Sequence, residues 1–386
     1  MQTKYYTFIL LLLTAIFIGC NPAKKELVIE VSNPSSIERI NEMVEVAWET
    51  VQQKLPLSAG QTIIVTGDDG QQLPYQFVTN GTGKVEALIF PASPGAGQTA
   101  LYRIAAGEPD DFESLVYGRL VPERKDDFAW ENNRTAFRVY GPALKATGEI
   151  SNGMDFWAKK TESLIIDKWY KDDLSGIASY HKDHGEGLDF YKVGRTLGLG
   201  MTAPVHNDTL CLGDNFVTAE ILDNGPLRIT FKLTYAPYKA GEHEITETRI
   251  ISLDAYTLFN KVTNIFEGDT DKLTVATGIV MPEKDPLENA GRTTFGVNNG
   301  IIAYETPADD ANGVIYTAAL HPDGFATIKV SNGHYLGLNS YQPGTSYTCY
   351  AGGGWSKAGF GSFEEWTQFV KEEKEKIDQP LIIQIN

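Results

Sequence analysis

The chain lacks low-complexity tracts, and beyond its first twenty residues it lacks long hydrophobic runs. It is also short of positive charge, with 33 Lys and Arg against 50 Asp and Glu, which gives a formal net charge of −17. Nucleic acids and anionic membrane surfaces are therefore poor partners. Hydrophobic residues make up 42% and charged residues 22%, which is typical of a folded globular protein and not of a disordered one.

Cysteine is scarce, with three residues in 386. The first, Cys20, follows an apolar run at residues 8–13 and a small residue, Gly19. This pattern is a secretory signal and resembles that of bacterial lipoproteins, in which the cysteine becomes the lipidated first residue. Because the run is too short to predict a membrane span, we expect a lipid anchor at Cys20 and a location in the periplasm or at the cell surface, with the outer membrane favoured. Spacing leaves open whether Cys211 and Cys349 pair or stay separate thiols.

A chain of 386 residues is longer than one hydrophobic core usually supports, so we expect two domains. From residue 27 to about 118, short β-rich runs alternate with Gly, Pro and Asp turn signals, which predicts a small antiparallel sandwich. The pattern breaks between residues 107 and 122 and then restarts. We therefore predict a signal peptide at residues 1–20, an accessory domain at 26–118 and a larger domain at 119–386.

Long alternating strands return after Cys211 and continue to residue 384, which predicts broad antiparallel sheets with one face covered. Helices are few. The segments 154–160 and 164–170 are read as helical connections, and a capped helix is expected after Ser362, with Trp366 on its apolar face. The fold class predicted from these patterns is all-β, mainly antiparallel, with a sandwich of two broad sheets.

One stretch, residues 180–195, has the composition of a functional loop. It holds two of the six histidines, His181 and His184, together with three carboxylates, two tyrosines and three glycines before Arg195. Long irregular segments of this kind are more often binding or catalytic than idle. A solvated loop without a function and a metal site remain alternatives, but no zinc spacing is matched, and we predict no metal.

A second polar stretch, residues 123–134, surrounds Phe128 and Trp130 with charged and amide groups that are costly to bury, and it therefore predicts a groove or its rim. An exposed Trp130 could stack on the apolar face of a sugar ring while Asp127 and Glu131 hydrogen-bond its hydroxyls. The alternative is that Trp130 anchors the core beside the following strand. Against the acidic background, the cationic pairs Arg124-Lys125 and His181-Lys182 stand out.

Residues 123–132 and 180–189, with Asn224-Gly225-Pro226-Leu227-Arg228 and residues 352–357, resemble a family of secreted bacterial proteins encoded among polysaccharide lyases and glycosidases in loci that degrade uronic-acid glycans. The resemblance covers nearly the whole mature chain. It implies a short immunoglobulin-like domain followed by a galactose-mutarotase-like β-supersandwich. For one branch it implies dehydration of ulvan oligosaccharides, in which water leaves a non-reducing-end uronic acid and a 4,5-unsaturated uronyl group remains.

That reaction needs three kinds of group. A guanidinium neutralises the uronate carboxylate, for which Arg124 and Arg195 are the candidates. A base removes the proton at C5 and an acid protonates the oxygen leaving C4. Since His and Tyr have the suitable pKa ranges, we assign His184 as base and Tyr191 as acid, with His181 and Lys125 as substitutes. The remaining substrate contacts are assigned to Trp130, Asp127, Glu131 and Glu186.

Two other classes stay open. A polysaccharide lyase uses the same groups with a sugar as leaving group, and a hydrolase of unsaturated uronyl ends would need a carboxylate pair drawn from Asp127, Glu131, Asp183, Glu186 and Asp189. A glycan-binding lipoprotein without catalysis would need exposed aromatic platforms and no histidines. We predict an oligosaccharide-acting carbon–oxygen lyase that needs no cofactor, with a uronic-acid-containing oligosaccharide as its partner.

Overall fold

The computed structural model describes residues 26–282, 292–296 and 299–386. The predicted signal peptide and Cys20 lie outside the described residues. Within them, none of the helices has the length and apolar character required to cross a bilayer.

The first unit is a sandwich of two antiparallel sheets. Its elements are β1 (Glu26–Ser32), β2 (Glu42–Ala47), α1 (Trp48–Lys54), β3 (Ile63–Thr66), β4 (Gln72–Leu73), β5 (Gln76–Val78), β6 (Ala87–Ala92) and β7 (Thr99–Ala106). Strict alternation in β1 buries Leu27, Ile29 and Val31, while Phe90 comes to the same core from β6. Three strands form one sheet in the order β2-β6-β5, and β1, β7, β3 and β4 belong to the other.

A five-stranded sheet follows, in the order β12-β11-β10-β9-β8. This part of the chain comprises β8 (Val116–Val121), β9 (Asp127–Asn132), β10 (Ala136–Val139), α2 (Pro142–Ala146), β11 (Asp155–Lys159), α3 (Ile166–Leu174) and β12 (Gly187–Leu188). One face packs into the main core through Phe128, Phe137 and Phe156. The other face is covered by α3 and by the loop that leads to β12.

Two broad sheets complete the molecule. Their elements are β13 (Leu199–His206), β14 (Thr209–Leu210), β15 (Thr218–Asn224), β16 (Arg228–Thr234), β17 (Tyr238–Ala240), β18 (His243–Asp254), β19 (Phe259–Gly268), β20 (Leu273–Val280), β21 (Arg292–Gly296), β22 (Ile301–Glu305), β23 (Ile315–Leu320), β24 (Thr327–Ser331), β25 (His334–Tyr341), β26 (Tyr347–Trp355), α4 (Phe363–Asp378) and β27 (Ile382–Ile385). One sheet runs β14-β13-β20-β25-β24, and the nine-stranded sheet runs β15-β16-β18-β19-β26-β23-β22-β21 with β17 beside β18. Strands β13 and β20 lie against β23 and β26, so the two sheets enclose a common core.

The all-β, mainly antiparallel fold class is confirmed, since all the pairings between these strands are antiparallel and the helices are few. The capped helix is also as expected: the Glu365 N–H donates to Ser362 Oγ at 3.2 Å, and Trp366 is fully buried. The helical reading of residues 154–160 is wrong, because this segment forms β11, a strand buried on both faces.

The last strand crosses back to the first unit. Strand β27 pairs with β1, with Ile385 opposite Ile29 and Ile383 opposite Val31. Leu381, Ile383 and Ile385 pack against the core of the N-terminal sandwich. A segment that the sequence boundaries assign to the second domain therefore completes a sheet of the first.

Candidate functional site

Successive side chains of β9, β10 and β11 point to opposite faces of the five-stranded sheet, and one of these faces carries charged residues. Arg138 lies directly opposite Asp155 on β11 and Ala129 on β9, so Asp127, two residues before Ala129, shares its face. The intervening residues Phe128 and Phe137 point into the main core. Because α3 and the following loop cover the charged face, these ionised groups are removed from water.

Arg138 is the centre of this buried cluster. Its Nη2 lies 2.6 Å from Asp155 Oδ2 and 2.9 Å from Asp189 Oδ2, and its Nη1 lies 3.6 Å from Asp127 Oδ2. Nη1 also donates to the Tyr180 hydroxyl at 3.1 Å. The guanidinium on β10 therefore joins β11 and the 180–195 loop through charge-assisted hydrogen bonds, and it lies within ion-pair distance of Asp127 on β9.

Aromatic rings surround the same guanidinium. Its central carbon lies 5.1 Å from the ring centre of Tyr140, 5.3 Å from that of Trp157 and 5.7 Å from that of Tyr180. Cation–π contact of this kind stabilises a desolvated guanidinium. Tyr140 is half-buried, in contrast to Trp157 and Tyr180, so it is the ring through which the cluster approaches solvent.

Negative charge exceeds positive charge in the cluster, with three carboxyl groups around Arg138. Burial raises the pKa of Asp127 to about 6, against the opposing effect of Arg138 and Arg124. The pKa of Asp189 is raised well above its usual range by burial and by the neighbouring charge of Asp155. Burial of three carboxyl groups around one guanidinium therefore favours retention of a proton in the cluster. Asp127 Oδ1 is buried without a hydrogen-bond partner in the described part of the chain.

The two stretches singled out in the sequence meet at the edge of this cluster. Arg124 donates through Nε to the Tyr180 hydroxyl at 3.3 Å. His181 Nδ1 lies 3.0 Å from the backbone oxygen of Asp189 and 3.6 Å from its Oδ2, while 56% of the His181 side chain is exposed. A carbonyl acceptor implies that Nδ1 carries the proton, which leaves Nε2 as the basic nitrogen.

The turn that carries Arg124 has an uncommon backbone. Lys125 and Asp126 both adopt left-handed conformations, with φ of 55° and 61°. A Cβ on Gly141 would lie 1.9 Å from the Asp126 carbonyl oxygen, so only glycine fits against this turn. Lys125 is exposed, and its backbone oxygen accepts from the Leu144 N–H at 3.2 Å. The turn thereby fixes the backbone that carries Arg124, whose charge acts on Asp127.

His184, the predicted base, does not contact this cluster. Its Nε2 lies 3.2 Å from the Ser179 backbone oxygen, and its exposed ring lines a small cavity of about 30 Å³ with Trp169 and Glu186. Glu186 accepts from Lys168 at 2.7 Å and from the Trp169 indole at 3.1 Å. These contacts attach the loop to α3, so the role of Glu186 is to hold the loop in place.

Three other predicted site residues are buried away from any substrate. The Trp130 ring is fully buried and donates to Asn260 Oδ1 at 2.7 Å, so it anchors the core and offers no stacking face. Glu131 is equally buried and pairs with Lys159 at 2.7 Å. The Tyr191 hydroxyl is buried with no hydrogen-bond partner among described residues, and burial raises its pKa far above the usual range.

Arg195 remains accessible. Its side chain is 59% exposed and lies 3.9 Å from Asp214. Arg195 lies four residues after Tyr191. The residue before it, Gly194, accepts a hydrogen bond from the Ser151 hydroxyl through its backbone oxygen at 2.8 Å, which holds this segment in place. Arg195 therefore belongs to the surface next to the loop and makes no contact with the Arg138 cluster.

Sequence reasoning missed Arg138, Tyr140, Asp155 and the role of Tyr180. These residues could have been found from charged side chains within largely apolar strands, as in Ala136–Val139 and Asp155–Lys159. A charge that is buried in a strand needs a partner, so such residues indicate a buried cluster. In the described ranges, no group of three or more His, Cys, Asp or Glu side chains is arranged to hold a metal ion.

Cys211 and Cys349 are both free thiols, one half-buried and one buried. Burial raises the pKa of Cys349 to about 12, so this thiol is protonated and unreactive at neutral pH.

Comparison with known proteins identifies a family and a relative of similar length. Residues 31–383 match a domain of unknown function, DUF4861. Uncharacterized protein P7 of Formosa agariphila is 34% identical over 334 residues, covering 81% of this chain and 82% of that protein.

Two solved structures align at much lower identity. An alpha-mannosidase from Enterococcus faecalis V583 matches 94% of the chain at 8% identity and a TM-score of 0.44. A glycosyl hydrolase family 38 protein from Enterococcus faecalis matches 95% at 9% identity and a TM-score of 0.45. The chain spans about half of each, 46% and 48%. The match over residues 31–383 and the identity with P7 establish that the chain belongs to the DUF4861 family.

Proposed function

We propose that this protein is a carbon–oxygen lyase that removes water from a uronic acid at the non-reducing end of an oligosaccharide of ulvan type. One observation carries the proposal: an exposed imidazole, His181, held against the buried Asp189, with Arg124 on the neighbouring Tyr180. The likeness of these motifs to proteins encoded in uronic-acid degradation loci supports the same substrate class.

In this proposal, Arg124 and Lys125 bind the uronate carboxylate. Proton loss from C5 is difficult because the adjacent carboxylate resists further negative charge, and a guanidinium beside it lowers that cost. Because the net charge is −17, most of the surface repels an acidic sugar, and a local pair of cations is needed to bind it.

His181 takes the C5 proton through Nε2, and the electron pair forms the C4–C5 double bond as the C4–O bond breaks. The Asp189 backbone oxygen, 3.0 Å from Nδ1, orients the ring and accepts a hydrogen bond from the imidazolium that results. Tyr140, half-buried against Arg138, is assigned as the donor that protonates the departing hydroxide to water. Burial and the neighbouring carboxylates raise the pKa of Tyr140 well above its usual range, so its proton is present at neutral pH.

The hydrolase alternative receives less support. It needs two carboxylates that face each other across open space. Asp127, Glu131 and Asp189 are buried, whereas Asp183 is paired with Lys160 at 2.6 Å and Glu186 with Lys168 at 2.7 Å. Each carboxylate offered by the sequence therefore has another partner or no access to substrate.

The test uses purified protein and oligosaccharides that end in a saturated uronic acid. Ultraviolet absorbance with mass spectrometry separates the possibilities. Loss of one water with new absorbance supports dehydration, whereas chain cleavage with new absorbance indicates a polysaccharide lyase. Loss of absorbance from unsaturated substrates indicates the hydrolase, and binding without turnover indicates a glycan-binding protein; either result would overturn the proposal.

The cell-envelope location is part of the same proposal and has a separate test. Metabolic labelling with a radioactive fatty acid should label the wild-type protein, and Cys20→Ser should abolish the label. Labelling that persists in the variant would remove Cys20 as the lipidation site.

A further inference from the structure

A large groove lies away from the Arg138 cluster. Its volume is about 960 Å³, in the size range of small-molecule sites, and its walls come from residues 37–45, the outer face of the nine-stranded sheet and α4. Arg134, in the turn between β9 and β10, reaches this groove. Since Asp127 begins the six-residue β9, the groove and the Arg138 cluster are separated by roughly 17 Å of strand.

The floor of the groove is a straight row of side chains across four strands. Thr230, Ser252, Lys261 and Tyr350 are successive cross-strand partners on β16, β18, β19 and β26. Their chain neighbours Phe231, Ile251 and Val262 are buried in the core, so the row faces outward. With strands about 4.8 Å apart, the row extends for roughly 14 Å, with hydroxyl groups at one end and a half-exposed ring at the other.

The walls are held in place before any ligand arrives. Arg39 donates through Nη2 to the Gln379 backbone oxygen at 2.7 Å, and Ser36 donates to Glu375 at 3.2 Å. Arg228 connects Asp254, at 2.5 Å, with Glu45 of the N-terminal sandwich, at 2.6 Å. A groove fixed by several elements loses little entropy when it binds.

Its lining favours an uncharged ligand that has both apolar faces and hydroxyl edges. The charged lining consists of six carboxylates, from Glu38, Glu42, Glu45, Asp254, Glu372 and Glu373, and four cations, from Arg134, Arg228, Lys261 and Lys376. Carboxylates outnumber cations and several are paired with them, so an anionic ligand is disfavoured. Tyr256, Tyr350 and Phe369 supply apolar ring surface between the polar groups.

The backbone conformation of Tyr256, which lines the groove, also indicates a binding site. Tyr256 adopts a left-handed backbone conformation, with φ of 69°, which is unfavourable for a bulky side chain. Its N–H donates to Asn133 Oδ1 at 2.9 Å, so the β9–β10 turn holds the strained residue at the groove. Strain of this kind is retained where a side chain must be presented in one position.

We infer that the groove is a second carbohydrate site, which binds a neutral stretch of a polysaccharide chain. Pyranose rings have apolar faces suited to Tyr350 and hydroxyl edges suited to the half-buried Ser252, whose hydroxyl is paired with that of the buried Thr230 at 2.9 Å. The inference does not depend on the reaction at His181, because no residue of the floor contacts that cluster in the described structure.

Affinity electrophoresis in gels that contain neutral polysaccharides, namely xylan, mannan, glucomannan or galactan, tests the inference with the full chain. At least one should retard the wild-type protein, with affinity weakened about ten-fold or more in Tyr350→Ala and in Ser252→Arg. Thr274→Arg, an exposed position on the other broad sheet, is the matched control and should bind as wild type. His181→Ala should also bind as wild type, which separates this site from the proposed reaction.

No retardation by any of the four polymers would overturn the inference, as would retardation unchanged in both groove variants. Sedimentation of the free protein gives a further check. If the wild type is a dimer and Ser252→Arg is a monomer, the groove is occupied by a second copy of the chain and the carbohydrate assignment is wrong.

Discussion

His181 and His184 lie three residues apart and differ in what they contact. His181 approaches the carboxylate of Asp189, whereas His184 reaches only a backbone oxygen and solvent. If His181 is the base, His181→Ala should lower kcat by about 100-fold or more, the usual contribution of a general base, and His184→Ala should lower it far less. Turnover of a saturated uronyl-ended oligosaccharide measures both, with thermal unfolding as the control for folding.

Equal losses from the two substitutions would assign both residues to loop structure. A larger loss from His184→Ala would restore the sequence-based choice and move the reacting centre to the small cavity beside Trp169.

Asp127 gives the second prediction at this scale. Its pKa is about 6 in the folded protein and lies near 3.8 when unperturbed, so the folded state binds the proton more tightly. Its contribution to stability is therefore complete below about pH 4 and is lost as pH rises towards 6, by at most ~3 kcal/mol. Urea unfolding of wild type and Asp127→Asn across pH 4–7 measures this, and the difference between them should change with that sign.

A difference that is constant over this range would show that the shared proton resides elsewhere, with Asp189 as the next candidate because its pKa is also raised by burial. Coupled carboxyls titrate as a group, so the comparison with Asp127→Asn isolates one member.

The residue composition identified the loop at residues 180–195 as functional. It did not indicate which of the two histidines in the loop contacts the Arg138 cluster. Which way a side chain points in an irregular loop depends on backbone turns, such as those at Gly185 and Gly187, with φ of 105° and 119°. Trp130 was misjudged for a related reason: its polar neighbours Asp127 and Glu131 are buried with partners far along the chain, and local sequence does not reveal those partners.

At the scale of elements, the buried pair of Glu131 and Lys159 supports α3. Glu131 Oε1 accepts from the N–H groups of Ile165 and Ile166, at 2.7 and 2.8 Å, so a strand residue satisfies the first turn of this helix. Lys159 donates to Glu131 Oε2 at 2.7 Å, and both side chains are fully buried. The pair thus connects β9, β11 and the helix that covers the Arg138 cluster.

Glu131→Gln should cost about 3–5 kcal/mol of unfolding free energy, because it keeps the acceptor for α3 but leaves the Lys159 ammonium buried without its counter-charge. Urea denaturation at pH 7 measures the loss. In Glu131→Gln with Lys159→Met the uncompensated charge is gone, so stability should recover substantially. A single substitution that costs less than about 1 kcal/mol would mean that water or a shifted proton already relieves the pair.

The strands themselves were largely predictable, because alternation over long runs such as His243–Asp254 follows from one buried and one exposed face. The segment at β11 was misread as helix because both of its faces are buried, which removes the alternation that identifies a strand. Pairing order was not predictable, since it depends on contacts between segments far apart in the chain.

For the whole molecule, the C-terminal strand decides how the two units depend on each other. Strand β27 adds to the edge of β1 and places Leu381, Ile383 and Ile385 on the sandwich core, while Arg39 holds Gln379. Removing residues 379–386 should therefore destabilise the N-terminal sandwich more than the broad sheets. Calorimetry should show a transition at least about 5 °C below that of the intact protein.

Ile382→Ser is the matched control, because Ile382 is 50% exposed on the outer side of the same strand and should shift the transition little. The complementary experiment expresses residues 26–118 alone and with residues 379–386 joined by a flexible linker. If the sandwich needs β27, only the joined form should show cooperative unfolding, since the unpaired β1 edge and the exposed core favour association of the shorter fragment. Cooperative unfolding of the fragment without β27 would show that the sandwich is self-sufficient and that the returning strand serves to hold the groove walls together.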